Sequence, residues 1–338
     1  MTDVAQAVIG ANYGDEGKGH VTDFLAARCK TPATVVRYNS SAQAGHTVVT
    51  PDGQRHVFHH VGAGAFVGAS TLLSRFFVAH PMLLTEELDT LGRLGIEPKL
   101  YADPRSRVAV PHDILLNQAI EQQRGTARHG SCGIGFNEAV ERSLRPAYTI
   151  RVGDLLERAL LRQRLLDIRD HWVPKRMRVL GLDPSTTDIV DLLNSDIVID
   201  RWLDDAEAFA DRVSVLPPGT RPPGAVIFEG AQGLLLDQDG EDFPHVTRSK
   251  TGLTNVVRLA QEMEIDALDV TYVTRAYLTR HGAGPLANEL PIVPDSIADE
   301  TNAPNAFQGA LRMAWLDLDR LAAAIHRDLQ IRAAGIDV

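Results

Sequence analysis

Cysteine is nearly absent: Cys29 and Cys132 are the only two in 338 residues. They lie far apart without metal-type spacing, which excludes a disulfide framework and a zinc ribbon. Long apolar runs are missing too. No stretch approaches the roughly 18–20 residues that span a bilayer, and Met1-Thr2-Asp3 lacks the basic segment that opens a secretory signal. The expected location is the cytoplasm, with no membrane partner. Positive charge is in deficit, 34 Lys and Arg against 44 Asp and Glu, and the net charge of −10 argues against a nucleic-acid partner. An acidic chain can still gather Arg and Lys in a pocket, so a nucleotide is the expected ligand. Internal repeats and low-complexity tracts are also lacking. What is abundant is core material, since 44% hydrophobic composition over this length supports one large α/β domain or two closely joined lobes.

The pattern along the chain is strand, loop, helix. Val4 to Ile9 reads as a buried strand, and Val21 to Cys29 as a helix. Thr34 to Tyr38 is a second strand, Val48 to Val57 a hairpin around Pro51-Asp52-Gly53, and Leu83–Leu94 and Asp113–Gln123 are helices. Residues 151–212 carry Arg, Asp and Leu at helical spacing, a helical excursion within a single domain over 1–338. Ala225 to Phe228 and Ala267 to Thr274 are further strands that deliver Gly-rich loops, Glu229 to Gly233 and Thr279 to Pro285. The expected fold class is α/β, a mostly parallel central sheet flanked by helices with ligand loops at the carboxyl ends of the strands.

Gly14-Asp15-Glu16-Gly17-Lys18-Gly19, directly after the first strand, is the most telling segment. Glycines turn the backbone N–H groups onto phosphate oxygens, and Lys18 adds a mobile positive charge. It is not G-x-x-x-x-G-K-[ST]: Asn12 stands where the first Gly would, and Gly19 where a hydroxyl would hold magnesium. A metal ligand here must be a carboxylate, Asp15 or Glu16. Asp15 could be a base, a magnesium ligand, or both.

Other motifs stay open when taken singly. His46, in Ala44-Gly45-His46-Thr47, is an accessible imidazole that is catalytic or merely structural. His59 and His60 point to opposite faces of a strand-like run and read as packing residues. His129-Gly130-Ser131-Cys132 is a phosphate cradle or a linker, and Cys132, lacking a nearby base, reads as a bystander thiol. Gln232 is a candidate for contact with a base or phosphate. Arg142, Arg145, Arg151, Arg280 and Arg312 are candidate anion clamps by chemistry alone.

Taken together, Gly14–Gly19, Ala44–Thr47, Phe228–Gly233, Pro244-His245-Val246-Thr247 and Thr279–Pro285 resemble the adenylosuccinate synthetase family in order and spacing, from about residue 4 to 325. The resemblance implies a homodimeric, magnesium-dependent ligase that joins L-aspartate to a 6-oxopurine nucleotide using a nucleoside triphosphate. It implies Asp15, His46 and Lys18 as catalytic residues. The triphosphate would lie on Gly14, Asp15, Glu16, Gly17, Lys18, Gly19, Gly45, His46 and Thr47, with Mg2+ on Asp15 and the Gly45 carbonyl. Asp15, Gln43, Gly130, Ser131, Gln232 and Thr247 would surround the purine nucleotide, and Arg142 would reach its phosphate from the neighbouring subunit. Thr301, Gln308, Gly309 and Arg312 would bind aspartate.

Departures from the family pattern narrow the expectation. Ser40-Ser41-Ala42-Gln43 replaces Gly-Gly-His-Asn, His129-Gly130-Ser131 replaces Thr-Thr-Gly, and residues 299–309 replace an arginine-rich loop. The Lys-x-Asp element that reads guanine of GTP does not occur before Val338. These changes resemble the bacteriophage branch, which takes dGMP instead of IMP, with ATP or dATP, to supply 2-aminoadenine for phage DNA. A phage enzyme in the host bacterial cytoplasm is the expectation. Retained Asp15 points instead to the IMP enzymes. A silent nucleotide-binding regulator and a GTPase-like switch are the readings from other classes; intact Asp15, Lys18 and His46 disfavour the first and the missing Walker pattern the second.

Overall fold

The computed structural model describes residues 3–125, 130–184, 189–291, 311–331 and 335–338. Its centre is a seven-stranded sheet. In spatial order the strands are Ala267–Val273, Val4–Gly10, Ala225–Gly233, Ala33–Arg37, Ser70–Leu73, Leu100–Ala102 and Val213–Val215, every adjacent pair parallel. Covered strands should read as continuous apolar runs, and Ala33–Arg37 is buried at every position.

The helices follow local rules. Lys18–Arg28 starts three residues earlier than its apolar spacing suggests, on Gly17, whose φ of 93° an L side chain would resist. Pro81–Arg93 and Pro111–Arg124 each begin with proline at the first turn, where no N–H is needed. The imidazole of His80 caps the first by accepting from the Leu83 N–H. Glu87, on the same helix, accepts the N–H groups of His59 and His60 at 2.8 and 2.7 Å, so this histidine pair serves packing.

Between 158 and 212 lie helices Arg158–Asp167, Val173–Leu180, Val190–Leu193 and Asp196–Arg212. They share one apolar core with the hairpin His46–Val49/Arg55–Phe58, joined by Trp202, Phe209 and Leu165. A second core lies between the sheet and helix Leu253–Glu262. No helix among the described residues is long and apolar enough to cross a membrane.

One element departs from the sequence reading. Glu229 to Gly233 is not a loop after the strand; the strand runs through to Gly233, with a register shift against Val8–Gly10. Gln232 takes a φ of 57° there, which puts a kink at the carboxyl end of a central strand.

Candidate active site

The carboxyl ends of the central strands open into a cavity of about 360 Å³. It is lined by Gly14, Asp15, Glu16, Gly17, Lys18 and Gly19 from the first loop, Gln43, Gly45, His46 and Thr47 from the second, and Gln232. Gln43 and Gln232 also line an adjoining cavity with Gly130, Ser131 and Thr247. All of these sequence-derived residues therefore come together from separated segments.

Backbone strain concentrates here. Asp15, Ser40 and Gln232 have φ of 58°, 63° and 57°, three of the five non-glycine residues in the left-handed region among the described residues. Such conformations persist only where the surroundings impose them. Asn39 supplies part of that constraint, its side chain bridging the N–H and C=O of Ala231 at 2.8 and 3.0 Å. Gly19 has no Cβ because one would press on His46 at 3.0 Å, so helix and histidine approach closely.

Charges in the first loop are divided. Glu16 is buried, accepting from the Asn12 N–H at 2.5 Å and pairing with Lys18 Nζ at 3.2 Å. Burial raises its carboxyl although Lys18 opposes. Its oxygens are engaged inside the loop, which leaves Asp15 as the carboxylate for a metal or proton. Burial alone would raise Asp15 as well; His281 foremost, then Lys18 and Arg275, outweigh it and hold the carboxyl below its usual value. No cluster of three or more His, Cys, Asp or Glu side chains caging a metal occurs among the described residues. Magnesium bound mainly through phosphate oxygens and water needs no cage, and Asp15 with the Gly45 carbonyl on the same cavity fits that donor set.

His46 is buried against Glu229, Nδ1 to Oε1 2.8 Å, and its Nε2 has no protein partner. Beside the adjoining cavity, Gln43 donates to Ser40 Oγ at 2.9 Å within its own loop and to Thr247 Oγ1 at 3.2 Å, tying two segments together. Ser131 exchanges hydrogen bonds with Asn117. The Oε1 of Gln232 is buried without a partner, an acceptor awaiting a donor.

The candidate arginines are engaged mainly by partners within this chain. Arg142 does not reach outward: it is fully buried, forked onto Asp113 at 2.8–3.2 Å, and bonded to the carbonyls of Tyr148 and Val108. Four of its five N–H donors are so committed, and the side chain lines neither cavity. Arg312 is held by Glu289 and donates to the carbonyls of Gly282 and Gly284, outside both cavities. Arg280 is buried against Asp242 and, unlike the other candidate arginines, lines the adjoining cavity. Arg145 and Arg151 are exposed. Thr301, Gln308 and Gly309 lie outside the described residues.

Several residues of the site escaped the sequence reading, His281, Arg275 and Glu229 among them. His281 and Arg275 line the cavity, and Glu229 stands behind His46. His281 and Glu229 sit within the quoted motifs, but no local spacing distinguishes a residue beside the catalytic groups from one that merely shapes a turn.

The adenylosuccinate synthetase family model matches residues 7–329. The adenylosuccinate synthetase of Synechococcus sp. (strain WH7803) is 35% identical over 320 residues, 92% of this chain and 70% of that protein. That of Acinetobacter baylyi is 33% identical over 340 residues, 94% of this chain and 74% of that protein. Among solved structures, fully ligated adenylosuccinate synthetase from Plasmodium falciparum superposes with a TM-score of 0.70 at 22% identity, covering 95% of this chain and 73% of that one. Cyanophage S-2L succinoaminodeoxyadenylate synthetase, bound to dGMP and dATP, gives 0.61 at 18% identity, covering 97% and 83%. Both structural likenesses show the shared fold. On the family match and the sequence identities, the chain belongs to the adenylosuccinate synthetase family of carbon–nitrogen ligases.

Proposed function

We propose that this ligase joins L-aspartate to carbon 6 of dGMP with ATP or dATP as phosphoryl donor, giving 2-amino-2'-deoxyadenylosuccinate. The observation that carries the choice of acceptor is Gln232 Oε1, a buried acceptor without a partner on both cavities. A 2-aminopurine offers exocyclic N–H donors that hypoxanthine lacks, and a site built around such a donor penalises the ligand without it. A second reading, IMP as acceptor, draws on the retained Asp15.

The chemistry is the same for either purine. Asp15 takes the proton from ring nitrogen 1, oxygen 6 attacks the γ-phosphorus, and the nucleoside diphosphate leaves. The amine of aspartate then adds at carbon 6 and expels phosphate. Lys18 and the loop N–H groups hold the phosphates, and Thr47 lies beside them. His46 gains a proton when triphosphate charge lies against it and donates to a phosphoryl oxygen. Magnesium, held by Asp15 and the Gly45 carbonyl, would neutralise triphosphate charge. Ser131, Gly130, Gln43 and Thr247 would surround the purine nucleotide. A homodimer and a single catalytic domain over 1–338 belong to the same reading.

The test is phosphate release with L-aspartate, magnesium and ATP, offering dGMP, GMP or IMP, with mass spectrometry of the product. A succinylated dGMP product with little IMP turnover is the expected result. Preference for IMP would return the chain to adenine synthesis, and silence with every acceptor would refute a ligase of either kind.

A further inference from the structure

His281 follows the strand Tyr277–Arg280 and stands where the two cavities meet, lining both. Its Nε2 lies 3.1 Å from Oδ2 of Asp15. An ionised carboxylate only accepts, so Nε2 carries the proton of this contact. The turn bearing the imidazole is braced from two sides. Buried Arg280 donates to the carbonyls of Pro285 and His245, both at 2.7 Å. Arg312 donates to the carbonyls of Gly282 and Gly284 at 2.9 and 2.6 Å. Asp15, for its part, is fixed in a left-handed backbone conformation at φ 58°. Two braced backbones thus meet through one side-chain contact.

We propose that His281 is the positioning residue for Asp15: its Nε2–H holds Oδ2, so that Oδ1 is the oxygen presented to the purine. The inference rests on the reading of Asp15 as the base. An aspartate carboxylate turns freely about its terminal bond, whose torsional preference is broad. Fixing one oxygen removes that rotation before the substrate arrives, and a base aligned in advance accelerates proton abstraction without tightening ground-state binding.

Two substitutions separate this role from simple bulk. His281→Gln keeps an N–H donor at similar reach, and His281→Leu fills the space without one. With the purine nucleotide that the enzyme turns over, H281L should lose roughly tenfold or more in kcat with KM for the triphosphate unchanged, and H281Q should stay within about threefold of the parent. In the ligand-free protein at fixed pH, the 15N-edited NMR signal of the His281 Nε2–H should be visible and be lost in Asp15→Ala. Equal kcat for H281L and H281Q, with Asp15→Ala inactive, would overturn the positioning role and leave the base intact. Full turnover by Asp15→Ala would overturn the base, and the inference with it.

Discussion

Nδ1 of His46 lies 2.8 Å from Oε1 of Glu229, whose other oxygen lies 3.2 Å from Nη1 of Arg37. All three side chains are buried. Burial lowers His46 despite the opposing Glu229 charge, so the ring is neutral in the unliganded protein. Burial alone would raise Glu229, but the Nδ1–H of His46 and the guanidinium of Arg37 outweigh it and hold the carboxyl below its usual value. A neutral imidazole beside a carboxylate carries its proton on Nδ1, which leaves Nε2 as the basic nitrogen.

Glu229→Gln removes the charge that Arg37 is paired with. Leaving one member of a buried ion pair uncompensated costs about 3–5 kcal/mol. Urea unfolding should show a loss of that order, and turnover should fall at least about tenfold as His46 loses its orienting partner. An unchanged unfolding midpoint would mean that Arg37 and Glu229 are not paired in solution.

Arg142→Met should destabilise for the same reason, by about 3 kcal/mol, because Asp113 would be left buried and unpaired. Its KM for the purine nucleotide should stay within about threefold, provided the variant is assayed well below its unfolding midpoint. A large rise in KM with stability intact would restore Arg142 as a phosphate ligand.

Two buried histidines predict acid sensitivity. Burial pushes His80 down to about 3 and His112 to about 4. Between about pH 6.5, the ordinary histidine value, and those folded values, only the unfolded chain takes up the proton. The stabilisation is therefore complete above about pH 6.5 and is lost as pH falls, about 2 kcal/mol per histidine between pH 7 and 5. Urea midpoints at the two pH values measure it, and both His80→Gln and His112→Gln should shrink the difference; an undiminished difference in both variants would contradict it.

Cys132 should be inert. Burial pushes its thiol up to about 11, and its Sγ donates only weakly to Gln43 Oε1 at 3.7 Å. Iodoacetamide at pH 8 should label it far more slowly than a free thiol, and Cys132→Ser should turn over within about threefold of the parent. Rapid alkylation with loss of activity would contradict this reading.

Local pattern in the chain was enough to specify the sheet and the loops at its edge. Runs such as Val4–Ile9 and Ala225–Phe228 are apolar because parallel strands are covered on both faces, and that pattern is local. The first glycine loop was equally legible as part of a cavity wall, since glycine, carboxylate and lysine at that spacing follow from backbone geometry and charge. What the charged side chains touch depends on how distant segments pack. Arg142 looks like any other helical arginine until Asp113, on another helix, takes its guanidinium. Glu229 looks like part of a turn until the strand continues past it and places it against His46 and Arg37. His281 finds Asp15 only when the last braced turn folds over the first loop. Local pattern specifies backbone conformation, because steric and burial preferences act over a few residues. Ion-pair partners are separated by whole strands and helices, and only packing decides which of many chemically equivalent charges meet.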